Sequence, residues 1–165
     1  MLPKSVQEAL NDQIKNELAS AHLYLSMCAY FESASLPGFA HWMKVQSREE
    51  TEHAMKFFDY VHERGGRVML KEIPAPPTKF SSPQAAFDAY LEHEKKVTAL
   101  VNGLYETATK ANDYATQVML HWFIKEQVEE EKTGMEIVDQ LKMIGDNKTA
   151  LLMLDRQLNA RASKD

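Results

Sequence analysis

Proline and glycine cut this chain into a few long pieces. There are six of each in 165 residues, and the prolines stand at positions 3, 37, 74, 76, 77 and 83. Between the breakers, apolar residues recur at steps of three and four, which is the period of an amphipathic helix. The spacing predicts helix A from Ser5 to Ser33, with Ser5 and Glu8 at the spacing of a capping box. Helix B is predicted from Pro37 to Arg64, stopped by Gly65-Gly66. Helix C opens at Ser82-Pro83, a cap residue followed by proline in the first turn, and ends near Asn112. Helix D follows from Asp113 to Gly145, and a short helix E spans Asn147 to Ala160, with Leu151, Leu154 and Leu158 on one face. That leucine face predicts packing against symmetry mates in an assembly.

Four helices of roughly 28 residues each span roughly 42 Å. Joints of a few residues between A and B and between C and D make antiparallel neighbours. The B–C connection, Gly65 to Ser81, is proline-bearing and can reach roughly 55 Å when stretched. It is long enough to cross the bundle, so B and C can run parallel. The expected fold is all-α: a single domain over 1–165, with a four-helix bundle over about 5–145, one long B–C crossover, and a short fifth helix over about 147–160.

The core-facing stripes carry the wrong chemistry in their middles. Helix A reads Val6, Leu10, Gln13, Glu17, Tyr24, Phe31, and helix B reads Phe39, Met43, Gln46, Glu50, His53, Phe57, Val61. Helix C reads Phe87, Leu91, Glu94, Val97, Val101, Leu104, and helix D reads Leu120, Phe123, Gln127, Glu130, Ile137, Leu141. A buried carboxylate without a partner takes up a proton or destabilises the fold by several kcal/mol. The same fault at mid-helix in four helices needs one cause.

An internal near-repeat supplies it. A 77-residue offset maps Glu17 onto Glu94, Glu50 onto Gln127 and His53 onto Glu130, and also Glu49 onto Glu126 and Glu52 onto Glu129. Residues three apart share a helix face, so Glu50/His53 and Gln127/Glu130 each face one way. One Glu from each of two helices plus Glu-x-x-His-like pairs from the other two is the di-iron carboxylate arrangement of helix bundles. Four carboxylates balance two divalent ions, and cation binding is expected to release protons. Oxygen and imidazole donors suit iron, manganese or zinc.

Other function classes fit poorly. The net charge of −5 argues against nucleic acid as a partner, and no run of 18 uncharged apolar residues predicts a membrane span. One cysteine, Cys28, allows no internal disulfide and no Cys-rich metal site; it reads as a small core residue. The start lacks a secretory apolar run, so a cytoplasmic location is expected. Of the six histidines only His53 lies on an acidic stripe; His22, His41, His62, His93 and His121 read as surface or internally satisfied residues.

At Asn16-Glu17-Leu18, Glu49-Glu50-Thr51-Glu52-His53, His93-Glu94 and Glu126-Gln127-Val128-Glu129-Glu130-Glu131 the sequence resembles the non-haem bacterial ferritins, along the whole chain. The resemblance implies a ferroxidase centre in which Glu17, Glu50 and His53 hold one iron. Glu50 bridges to a second, which Glu94 and Glu130 bind with Gln127 beside it. It implies a third iron site at Glu49, Glu126 and Glu129, and an electron-supplying role for Tyr24, with Trp122 nearby for a similar one. The implied activity is oxidation of Fe(II) to Fe(III) by dioxygen, or by hydrogen peroxide, and mineral storage in a hollow shell of twenty-four copies. Thr51 stands where haem-binding relatives place Met, so no haem is expected. Gln127-x-x-Glu130 departs from the Glu-x-x-His of di-iron proteins that keep their metals, which suggests a site that releases iron. The residues also admit a di-iron oxidase or peroxidase that retains its metals, and a purely structural bundle with a charged core.

Overall fold

The computed structural model describes residues 1–162 and contains five helices: α1 (Lys4–Ser33), α2 (Pro37–Glu63), α3 (Pro83–Lys110), α4 (Tyr114–Ile144) and α5 (Lys148–Leu158). No strand occurs among the described residues, and none of their helices is long and apolar enough to cross a membrane. Every residue of the four stripes is buried, the ionisable ones included. These side chains split the core in two. One apolar cluster, around Val6, Leu10, Phe57 and Leu120, fills one end of the bundle. A second, around Phe31, Phe39, Phe87 and Leu141, fills the other. The polar layer lies between them.

The crossover behaves as its length predicts. Asn11 donates to Arg67 O (3.2 Å) and accepts from Met69 N (2.8 Å), Lys71 pairs with Asp12, Ser26 Oγ donates to Pro77 O (2.6 Å), and the rings of Tyr30 and Phe80 lie 5.4 Å apart. The segment therefore follows α1 for roughly 28 Å from its beginning toward its end. Because α1 and α2 are antiparallel, this returns the chain to the end where α2 began, and α3 runs parallel to α2.

Helix starts are set in three ways. Ser82 caps α3 by accepting from Ala85 N, and Asp113 caps α4 by accepting from the Thr116 N–H. The Ser5/Glu8 capping box does not form. The helix begins at Lys4 behind Pro3, which has no capping side chain, so Ser5 already lies inside the first turn; the buried Leu2 draws the chain in ahead of it. Leu36 gives α2 no side-chain cap either. There Asp155 of α5 serves instead, its Oδ1 accepting from Gly38 N (2.8 Å) and Phe39 N (3.0 Å). A Cβ on residue 38 would fall 1.6 Å from the Asp155 carbonyl oxygen, so this approach requires glycine.

The same contact seats part of the fifth helix on its own bundle. Leu154 and Leu158 are buried in the chain's own core, against the cluster that holds Leu36 and Phe39. Asp155 anchors α5 to its own bundle.

Candidate metal centre

Glu17, Glu50 and His53 converge. One donor atom from each lies within 4.8 Å of the others, and all three residues are buried. No other group of three His, Cys, Asp or Glu side chains among the described residues meets that spacing. His53 Nδ1 lies 3.4 Å from Glu50 Oε2 and 4.0 Å from Glu17 Oε2. The outer oxygens of the two carboxylates are already engaged: Gln13 Nε2 donates to Glu17 Oε1 (2.7 Å) and Gln46 Nε2 to Glu50 Oε1 (2.9 Å). Protein amides thus steady the far side of each carboxylate, and the near side faces the imidazole.

The second half is built differently. The Tyr24 hydroxyl donates to Glu94 Oε1, and Gln127 Nε2 donates to Glu94 Oε2 (3.0 Å). Glu130 Oε2 accepts from the Tyr90 hydroxyl (2.7 Å) and from Gln46 Nε2 (2.9 Å). One amide nitrogen, that of Gln46, therefore spans Glu50 and Glu130 and ties the two halves together. Tyr24 and Tyr90 stand side by side, ring centroids 5.0 Å apart. Room for Tyr90 comes from Gly134, where a Cβ would lie 2.9 Å from its ring.

Proton affinities follow from this enclosure. Burial, reinforced by the charge of Glu50, holds the Glu17 carboxyl well above the usual range. Burial and then Glu50 and Glu130 do the same to Glu94. For Glu50, burial pushes upward but is outweighed by the hydrogen bond and charge of His53, and its value falls. The His53 imidazole is correspondingly raised, its burial overcome by Glu50. Without a metal, Glu50 and His53 thus favour their charged forms together, while the enclosure of Glu17 and Glu94 favours their protonated forms. A divalent cation would take the place of those protons, and the donor set of oxygens and one imidazole fits iron.

The remaining sequence candidates are distributed more widely. Glu49 is buried and pairs with Arg161 Nη2 at 2.7 Å, Glu126 is buried, and Glu129 is exposed. The three do not close into a triple like that of Glu17, Glu50 and His53. Trp122 is 40% exposed and meets the His53 ring edge-on at 5.2 Å. His93 accepts or donates a 2.7 Å hydrogen bond with Ser20 Oγ, so it is a satisfied histidine. Cys28 is buried among apolar side chains. Sequence reasoning passed over Tyr90, Arg161 and Asp155.

Comparison with known proteins agrees with the layout. Residues 7–144 match the ferritin-like domain family. This chain belongs to the ferritin family. The ferritin is 44% identical over 161 residues to a bacterial non-heme ferritin of Bacteroides fragilis, covering 98% of this chain and 100% of that one. A bacterial non-heme ferritin of Staphylococcus haemolyticus is 43% identical over 162 residues, 98% of each chain. Among solved structures, an open-pore ferritin of the hyperthermophilic archaeon Archaeoglobus fulgidus superimposes with a TM-score of 0.97 at 49% identity, covering 98% of this ferritin and 100% of that chain. A humanized archaeal ferritin gives 0.99 at 47% identity, with both chains fully covered. The shared architecture is the bundle with its crossover and fifth helix.

Proposed function

We propose that this ferritin stores iron by oxidising Fe(II) at the buried centre and depositing the ferric product inside an oligomeric shell, which we infer to contain twenty-four copies in the cytoplasm. Glu17, Glu50 and His53 receive the first Fe(II). Glu94 and Glu130 receive the second, with Gln127 beside it and Glu50 shared between them. Each Fe(II) gives up one electron, and the two reduce dioxygen to the peroxide level; hydrogen peroxide is the alternative oxidant. Ferric iron then hydrolyses, releasing protons to water. Tyr24, which donates to Glu94, stands where it can pass an electron. Glu49, Glu126 and Glu129 lie next in sequence to the ligands and are the groups we assign to ferric iron leaving the centre.

The observation that carries this reading is the convergence of two carboxylate oxygens and an imidazole nitrogen in a buried position. Buried carboxylates with no cation to receive would be a liability that apolar residues of the same volume would remove. Anaerobic Fe(II) titration of the purified particle, followed by air, tests it. Two Fe(II) per subunit should bind and oxidise rapidly. A particle that takes up no Fe(II) at these stoichiometries contradicts the proposal.

A further inference from the structure

Residues 159–161, directly after α5, lead back toward the centre. Arg161 lies three positions beyond Leu158, whose carbonyl accepts from its backbone N–H (3.2 Å), and its side chain reaches one stripe of α2. His41 Nε2 hydrogen-bonds its carbonyl oxygen (2.8 Å), and its guanidinium lies 4.2 Å from the Trp42 ring centroid and donates to Trp42 O (3.3 Å). One nitrogen, Nη2, reaches both Gln46 Oε1 (2.8 Å) and Glu49 Oε2 (2.7 Å). Trp42, Gln46 and Glu49 are spaced four and three apart, so the guanidinium lies along a single helix face. The Arg161 side chain is only 17% exposed and that of Glu49 4%.

These contacts lead into the iron site by two routes. A guanidinium can only donate, so it fixes the oxygen of the Gln46 amide toward itself. The Gln46 nitrogen is left to face Glu50 and Glu130, as found. Glu49, next in sequence to Glu50, meanwhile holds a cation that belongs to the chain. An ion pair this enclosed is poor evidence for a gain in stability, because desolvation offsets most of its attraction. An apolar side chain on Trp42 would staple the arm as well.

We propose that Arg161 is a positioning residue of the iron site and acts as an internal counter-cation: it occupies Glu49 in place of a metal ion and fixes the Gln46 amide that spans Glu50 and Glu130. The C-terminal arm is thereby a latch on the α2 side of the centre, and its release turns Glu49 into a cation ligand. This rests on the iron-site assignment above.

Zn(II), which does not change oxidation state, is the probe. Equilibrium dialysis of the assembled particle compares wild type with Arg161→Gln, Arg161→Lys, Glu49→Gln and the double variant Arg161→Gln/Glu49→Gln. Removing the guanidinium should tighten the weakest Zn(II) step by roughly tenfold, the order expected from freeing one buried carboxylate of its ion pair. Arg161→Lys, which keeps the charge, should stay near wild type. In the Glu49→Gln background this tightening should be lost, leaving only the smaller change that comes from releasing the Gln46 amide. An unchanged isotherm for Arg161→Gln, with or without a fall in melting temperature, overturns the inference and leaves a merely structural staple. An equal tightening in the Glu49→Gln background overturns it too. Wild type that binds no Zn(II) fails one level earlier, removing the iron site and the latch together.

Discussion

The two helical hairpins share a backbone and differ in chemistry. Their turns are copies: Ala34 N, Ser35 N and Leu36 N donate to Tyr30, Glu32 and Phe31 carbonyls, and Ala111 N, Asn112 N and Asp113 N donate to Thr107, Thr109 and Ala108, each shifted by 77 positions. Ser35 and Asn112, also 77 apart, are the only non-glycine residues with positive φ among those described, at 58° and 52°. On this common frame the α1–α2 hairpin turns Glu17 Oε2, Glu50 Oε2 and His53 Nδ1 toward one point. In the α3–α4 hairpin, both Glu94 oxygens and Glu130 Oε2 accept hydrogen bonds from tyrosine or amide donors. The first half keeps one oxygen of each carboxylate turned toward the imidazole. The second must give up protein donors, so it should fill second and release first.

The largest break in that picture comes from Glu50→Ala, because Glu50 serves both halves. Removing an outer donor costs a metal site roughly tenfold to a hundredfold, and removing the residue proposed as the shared ligand should cost more, over roughly a hundredfold in the Fe(II) oxidation rate measured by stopped flow. Tyr90→Phe sharpens the comparison. It frees one donor from Glu130 and should change the second cation's affinity by roughly tenfold while leaving the first untouched, read from a Zn(II) isotherm. Equal effects on both steps would mean that the halves are not distinct.

The hairpins differ at their caps as well. Asp113 caps α4 from the turn itself and is joined by Arg64 Nη2 at 3.0 Å, whereas α2 is capped by Asp155 from the far end of the chain. Asp155→Ala should therefore lower stability by about 2 kcal/mol and release α5, seen as faster amide exchange over residues 148–158. Asp113→Asn should lower it by about 1 kcal/mol without disturbing α5, and the loss should depend on pH. Burial would raise the Asp113 carboxyl, but the Thr116 and Arg64 hydrogen bonds outweigh it and hold it below the usual range. Its contribution is then fully present above the unfolded value of about 3.9 and disappears as pH falls through the lower folded value. Acid unfolding followed by circular dichroism should show the wild type and Asp113→Asn converging at the acid end and separated near neutrality.

Most of the bundle was legible because periodicity reports burial directly: all four stripes read from the sequence are buried. The central carboxylates were legible for the opposite reason, as violations of that periodicity. What the pattern could not show is which polar atoms meet. Tyr90 sits on an apolar stripe where an aromatic needs no comment, and only the fold brings its hydroxyl to Glu130. Asp155 and Arg161 look like surface charges on a short amphipathic helix and its tail, yet both reach α2 across more than a hundred residues. The leucines of α5 signalled a buried face but not whose core would bury it. The Ser5/Glu8 spacing was a local signal overridden by the burial of Leu2.

Anomalous scattering from crystals soaked anaerobically with Fe(II), at one ion per subunit and then at excess, bears most directly on the unequal halves. The first soak should give a single iron peak bounded by Glu17, Glu50 and His53, and the second should add a peak against Glu94 and Glu130. No peak beside His53, or equal occupancy of both positions at one ion per subunit, would contradict the account.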